Sequence, residues 1–272
     1  MNYIANSKRY LVLGSIPILI VLLFFIVGLI WTPYGINETD AASKLMAPCA
    51  AHIFGTDNLG RDVFSRCLAA ARYTLLVSFA GVAVALLLGT LAGLAAGYYG
   101  GIRDKIIMIL SNGIMCFPGI LLALMAVAVY GPSLYNVILA LGLVFAPTFA
   151  RVYRTGTIEV LSRDYIVQAK VMGIRPHRIM YVHILPNLMP QVLPAVITGL
   201  ANMTLFESGM SYIGLGVQPP AASYGKMLSD AQSYMTTAPW LIVFPTLMLV
   251  FYILGLYFIS EGIRTSVKGG SK

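Results

Sequence analysis

Ser162-Arg163-Asp164-Tyr165-Ile166-Val167-Gln168-Ala169-Lys170-Val171-Met172-Gly173 runs on through Arg175-Pro176-His177-Arg178 to His183-Ile184-Leu185-Pro186-Asn187, a charged stretch between the fourth and fifth long apolar runs of the chain. Ser162 is placed to cap a helix whose first turn holds Asp164 at the positive end of the dipole, and Gly173 supplies its stop. Pro176 then opens a second short helix at its first position, ending near Pro186. Ile166, Ala169 and Gly173 fall on one face of the first helix, and the small Ala169 and Gly173 are expected to let a partner's surface approach closely. Arg163, Lys170 and Arg175 surround that face. The competing reading is a basic helix lying against lipid headgroups.

Outward from this segment, the solvent of the chain is a bilayer. Of the 272 residues, 58% are apolar and only 10% charged, with mean hydropathy +0.83, against about 25% charged in soluble domains. Leu11–Ile30 carries no charge and matches the roughly 20 residues a helix needs to cross about 30 Å of hydrocarbon. Lys8 and Arg9 before it would also suit a secretory signal, but such signals have an apolar core of only about 7–15 residues. Later spans read as Tyr73–Tyr98, Ile106–Val129, Leu134–Ala150, Val192–Ile213 and Trp240–Ser260. The predicted fold is all-α, integral to the membrane, with about six spans.

Lys and Arg set the orientation. With the N-terminus cytoplasmic, Lys44, Arg61, Arg66, Arg72 and Lys226 lie outside and the other 13 of the 18 basic residues lie inside. This satisfies the positive-inside rule and puts both termini and the opening segment in the cytoplasm. The net charge of +8 is thereby a topology signal, and nucleic acid is excluded as a partner. Cys116 is expected as a buried thiol in the third span. Cys49 and Cys67, on the outer side, are expected to stay free, because the odd cysteine count and the absence of CxxC spacing suit neither a bridge nor a metal site.

The opening segment resembles the cytoplasmic signature loop of binding-protein-dependent ABC importer permeases. In that loop a Glu-Ala-Ala triplet is followed by Gly and later by Leu-Pro. Here Val167-Gln168-Ala169 stands for the triplet, departing at two positions, with Gly173 and Leu185-Pro186 following. Two further stretches resemble the second permease subunit of the peptide and nickel importers. One is Phe54-Gly55-Thr56-Asp57-Asn58-Leu59-Gly60-Arg61-Asp62-Val63-Phe64-Ser65-Arg66. The other is Glu207-Ser208-Gly209-Met210-Ser211-Tyr212-Ile213-Gly214-Leu215-Gly216-Val217-Gln218-Pro219-Pro220, with Tyr224-Gly225 after it.

The resemblance implies a type I ABC importer permease in a bacterial cell membrane. Its expected partners are a related permease subunit, two cytoplasmic ATPases and an extracytoplasmic solute-binding protein. ATP and Mg would be used by the ATPases, and this chain would bind no cofactor and catalyse nothing. Residues 1–72 form a first span plus an extracytoplasmic segment on this reading. Residues 73–272 form the transporter domain, with its coupling loop at about 154–190. The coupling residues are Asp164, Tyr165, Gln168, Ala169, Gly173, Pro176, Leu185 and Pro186, and the outer motif is Gly55, Thr56, Asp57, Gly60, Arg61 and Asp62. Small peptides and nickel or metal chelates remain equal as cargo.

Elementary chemistry can be attached to the same motifs. Thr56 or Asp57 is placed to cap an amphipathic helix over residues 61–72 lying on the outer membrane surface, with Val63, Phe64, Cys67, Leu68 and Ala71 as its apolar face. A calcium loop at Asp57–Asp62 is excluded by wrong alternation and glycine position. Glu207 is an acid within a span, which makes it either part of a translocation path or a packed carboxyl bonded through Asn202, Thr204 or Ser208. Ser211, Gly214 and Gly216 accompany it, and the glycines suit close helix packing. Gly89, Gly93 and Gly97 suit it too, while Pro118, Pro132 and Pro147 break or kink helices. The other class of function is a secondary transporter using Glu207 as its proton or cation site. The chain carries no GxxxxGK[ST] loop, and His52, His177 and His183 are weak candidates for an intramembrane general base.

Overall fold

The computed structural model describes residues 2–270, with side chains from Ser7 to Val267. Helix α1 is Asn2–Ile30, α2 Val63–Tyr99, α3 Gly101–Met115, α4 Gly119–Tyr130, α5 Leu134–Leu161 and α6 Asp164–Val171. Then come α7, Pro176–Ile213, α8, Tyr224–Ala231, and α9, Trp240–Gly270. Five of these, α1, α2, α5, α7 and α9, are long and apolar enough to cross a membrane. A sixth crossing requires α3 and α4 together, and that pair is bent by 86° at Cys116-Phe117-Pro118.

The expected third span, Ile106–Val129, is therefore broken. Pro118 cannot donate to the preceding turn, and it becomes the start of α4 instead. Cys116 caps the end of α3 at this break and is exposed, contrary to the expectation of a buried thiol; Cys67 is the buried one, and all three thiols are free. Elsewhere the helices overrun the apolar windows. The 37 residues of α2 make about 55 Å of helix against about 30 Å of hydrocarbon, so its first turns stand clear of the bilayer. Those turns are the residues expected as a separate surface helix. They are not amphipathic: Ser65 and Arg66 are buried along with Val63, Cys67 and Leu68. The boundary between residues 72 and 73 lies inside this one helix.

Two glycine contacts organise the bundle. Along α2, a Cβ on Gly89 would lie 2.5 Å from Cβ of Phe149, and one on Gly93 would lie 2.4 Å from the carbonyl oxygen of Ala150. With Gly97 against Thr157, the backbones of α2 and α5 touch over two turns, as the four-residue spacing predicts. The α1 and α9 pair is built likewise, through Gly14, Gly255 and Gly262, so residues 1–72 are no appendage. Phe149, Leu141, Val77, Met203 and Leu200 belong to the core cluster.

The helices alternate in direction. Ser7 bonds the carbonyl of Gly262 at 2.8 Å, and Gln191 bonds Glu159 at 2.9 Å. The start of α1, the end of α9, the α2–α3 turn and α6 thus share one end of the bundle, here the basic end. Residues 31–62 and 214–239 form the far end.

Candidate functional site

At the basic end, Ser162 does not cap α6. It closes α5, its hydroxyl donating to the carbonyl of Glu159 at 2.8 Å, and Arg163 precedes α6 without a side-chain cap. Gly173 does supply the stop, with φ +73 and the amide of Ile174 reaching back to the carbonyl of Ala169 at 3.1 Å. Pro176 opens a helix, but that helix does not end at Pro186. A widened π-helical turn over Ile179–Ile184 absorbs the prolines, and the segment continues as the fifth span. Leu185 and Pro186 are inside it.

Of the face expected to meet a partner, Ile166 and Ala169 are turned inward and only Gly173 stays exposed. Ile166 joins Val160, Ile179 and Ile184 in the core, and Ala169 is buried too. The period-3.6 pattern placed Ile166 and Ala169 on one apolar face but gave it the wrong neighbour: in a short helix tethered at both ends, the chain's own core takes that face. Outward-facing residues are Tyr165, Val167, Val171 and Met172, the last two 84% and 72% exposed, along with Asp164, Gln168 and Gly173. Val167 and Val171 are one turn apart, a signal present in the sequence but masked by the polar Gln168 and Lys170 between them. The mount beneath is stiff. Arg154 on α5 clamps Asp104 on α3 with two bonds of 2.5 and 2.6 Å, and Lys170 sits 5.4 Å from the ring of Tyr98.

At the far end, the Gly55–Asp62 motif is a clasp. Asp57 accepts the amides of Leu59 and Arg61 at 2.8 and 3.0 Å, plus the Arg61 guanidinium at 2.6 Å. Asp62, rather than Thr56 or Asp57, caps α2 by accepting the amide of Ser65 at 2.7 Å, and it also holds His52 at 2.9 Å. Thr56 donates to the carbonyl of Ser43 and accepts the amide of Met46, while its own carbonyl accepts the indole of Trp240 at 3.2 Å. Gly60 has φ +77, and a Cβ there would lie 1.8 Å from the carbonyl oxygen of Asp40. Asp40 lies below the usual carboxylate range, held there by the hydroxyl of Ser43 and the amide of Ala42.

Glu207 lies six residues before the end of α7 and is fully buried. Its carboxyl accepts the hydroxyls of Ser211 at 2.6 Å and Ser208 at 3.4 Å, and Ser211 in turn accepts the amide of Val217 at 3.0 Å. Among the partners expected for it, Ser208 is found, while Asn202 bonds Tyr257 and Thr204 bonds the carbonyl of Leu200. Gly216 lets Ser211 in, a Cβ there falling 2.0 Å from its Oγ. Gly214 has nothing within 4 Å; its φ of +91 ends α7 with a left-handed turn, so its role is conformational and it packs against nothing. The group ties the end of α7 to the loop beyond it.

The chain matches the family of binding-protein-dependent transport system inner membrane components over residues 85–268. It belongs to that family. The dipeptide transport system permease protein DppC of Alkalihalophilus pseudofirmus is 37% identical over 262 residues, 96% of this chain and 86% of the relative. The nickel transport system permease protein NikC of Escherichia coli is 33% identical over 264 residues, 97% and 95% of the two chains. In fold, the chain is similar to the inward-facing MetNI methionine ABC transporter, with TM-score 0.59, 18% identity, and coverage of 76% of this chain and 97% of the other. This permease is thus an all-helical bacterial inner-membrane protein of the ABC importer class, as its motifs imply. A secondary transporter centred on Glu207 is set aside by the family.

Proposed function

We propose that this permease forms one half of the membrane-spanning part of an ATP-driven importer of small peptides or nickel chelates, its α6 serving as the contact through which partner ATPases move it. The observation that carries the coupling role is α6 itself. Two large apolar side chains, Val171 and Met172, stand almost wholly exposed at the basic end, on a helix whose other face is riveted to the core. A rigid knob with an apolar crown suits insertion into a groove of a protein partner. The basic end faces the cytoplasm on the positive-inside argument.

ATP and Mg belong to the two ATPases in this scheme. Closure of the ATPase dimer displaces α6, α5 and α7 follow because they flank it in sequence and packing, and the spans expose the path to a binding protein docked at the far end. A related, non-identical permease supplies the other half. The test is ATP hydrolysis by the co-purified complex in lipid nanodiscs, with dipeptide-loaded or nickel-loaded binding protein titrated in. The double substitution Val171→Glu and Met172→Glu is expected to abolish the stimulation by loaded binding protein. Stimulation that persists unchanged in the double variant sinks the coupling role.

A further inference from the structure

Arg66 stands in the first turn of α2 with only 4% of its side chain exposed. A guanidinium carries five N–H donors and a charge it cannot shed, and burying such a group is costly unless it is both paired and hydrogen-bonded. Arg66 is neither in full. Its Nη1 has no hydrogen-bond partner among the described residues, and its Nε lies 3.8 Å from Asp57, beyond hydrogen-bonding distance.

The carboxylates around it are already held. Asp57 accepts the Arg61 guanidinium at 2.6 Å and the amides of Leu59 and Arg61, and Asp230 accepts the ammonium of Lys226 at 2.7 Å. Asp62, spent on His52 and the amide of Ser65, does not line the space that Arg66 lines. Arg61, Arg66 and Lys226 thus face Asp57 and Asp230, and the unmatched positive charge falls on Arg66, the most buried of the three cations.

That space is a cavity of about 20 Å³ bounded by the clasp, α2, α8 and α9. A water molecule needs about 10–15 Å³, so one particle of that size fits, and phosphate, sulfate or an organic acid does not. Val63, Met227 and Leu241 form its apolar wall, and Asn58 brings a carboxamide with two more N–H donors. Water there would answer an N–H but bring two protons in search of acceptors, and it would leave the charge unmatched. A monatomic anion brings no protons, needs no orientation and cancels the charge.

We propose that this cavity is a halide site, holding one chloride ion between Nη1 of Arg66 and the carboxamide of Asn58, and that the ion locks the clasp to α8 and α9. The ion meets groups from the loop at Asp57-Asn58 and from three helices, so the outer end of the bundle is tightest when chloride is present.

The test follows amide hydrogen exchange of the full chain in lipid nanodiscs, in sodium chloride, sodium bromide and sodium gluconate at equal ionic strength. Chloride and bromide should slow exchange across residues 55–66 and 224–231 about tenfold at ten times the half-saturating concentration. Gluconate, too large to enter, should leave it unchanged, and the core of α5 should be indifferent to all three salts. Arg66→Gln should erase the halide dependence. Asp230→Asn, at a side chain 33% exposed, gives a change of opposite sign: with one negative charge taken from the cavity wall, half-saturating chloride should fall about tenfold. Equal exchange of the parent chain in chloride and gluconate, the result a bound water would give, overturns the halide site. So does a halide effect that survives Arg66→Gln, or a half-saturation unmoved by Asp230→Asn.

Discussion

The two ends of the bundle hold their motifs in opposite ways. At the far end, Gly55–Asp62 spends its side chains on the chain around it: Asp57, Asp62 and Thr56 together make eight contacts, in a loop closed at Gly60. At the basic end, α6 starts without a cap and stops on an unpacked glycine, leaving its largest apolar groups in the open. A motif whose residues satisfy one another fixes a shape. A motif whose residues stay unsatisfied fixes a partner.

Substitutions can break this contrast in order of expected damage. Gly60→Val adds a left-handed backbone penalty of about 1–2 kcal/mol to a collision with the Asp40 backbone that cannot relax; loss of monodisperse protein on size-exclusion chromatography is expected. Asp57→Ala strands Arg66, buried with its guanidinium 3.8 Å from Asp57 and one nitrogen already unpartnered. Removing one member of such a buried pair costs about 3–5 kcal/mol, visible as a lowered midpoint in thermal unfolding. Gly173→Ala should cost only about 1 kcal/mol, for φ +73 alone, since a methyl there meets nothing. Glu207→Gln keeps an acceptor for Ser211 and should change stability by less than about 1 kcal/mol. It should also leave uptake intact, whereas a proton-carrying role would abolish it. Val171→Glu, smallest of all for the fold, should stay within about 0.5 kcal/mol of the parent while uncoupling ATP hydrolysis from loaded binding protein. An α6 variant that unfolds the protein, or a clasp variant that leaves the melting point alone while uncoupling it, would erase the distinction.

The same contrast explains what was legible in the sequence. Spans declare themselves by composition, and the glycines of α2 by their spacing, because a helix facing another backbone every fourth residue has no alternative. Gly173 and Pro176 were readable as stop and start, since each acts through its own dihedral angles. Where a side chain had to choose a neighbour, the pattern was silent. Ile166 and Ala169 marked an apolar stripe without saying that the chain's own Ile179 and Ile184 would cover it. Ser65 and Arg66 looked solvated because nothing local announces that residues 31–62 and α8 fold over them. Pro186 looked like a terminator because hydropathy cannot foresee a π-helical turn that carries a helix through it. Asn202 was assigned to Glu207 for a related reason: its partner, Tyr257, comes from another helix, 55 residues away in sequence.

The contact between α2 and α5 has a mechanical meaning. Two helices separated by a layer of side chains can slide, since rotamers yield; Gly89, Gly93 and Gly97 remove that layer, leaving backbone seated on backbone. The pair behaves as a single push-rod. One of its ends is joined through Ser162 to α6, where a motor could grip it, and the other carries the clasp on the first turns of α2. Where the two backbones touch, one helix has no side-chain layer in which to slip past the other.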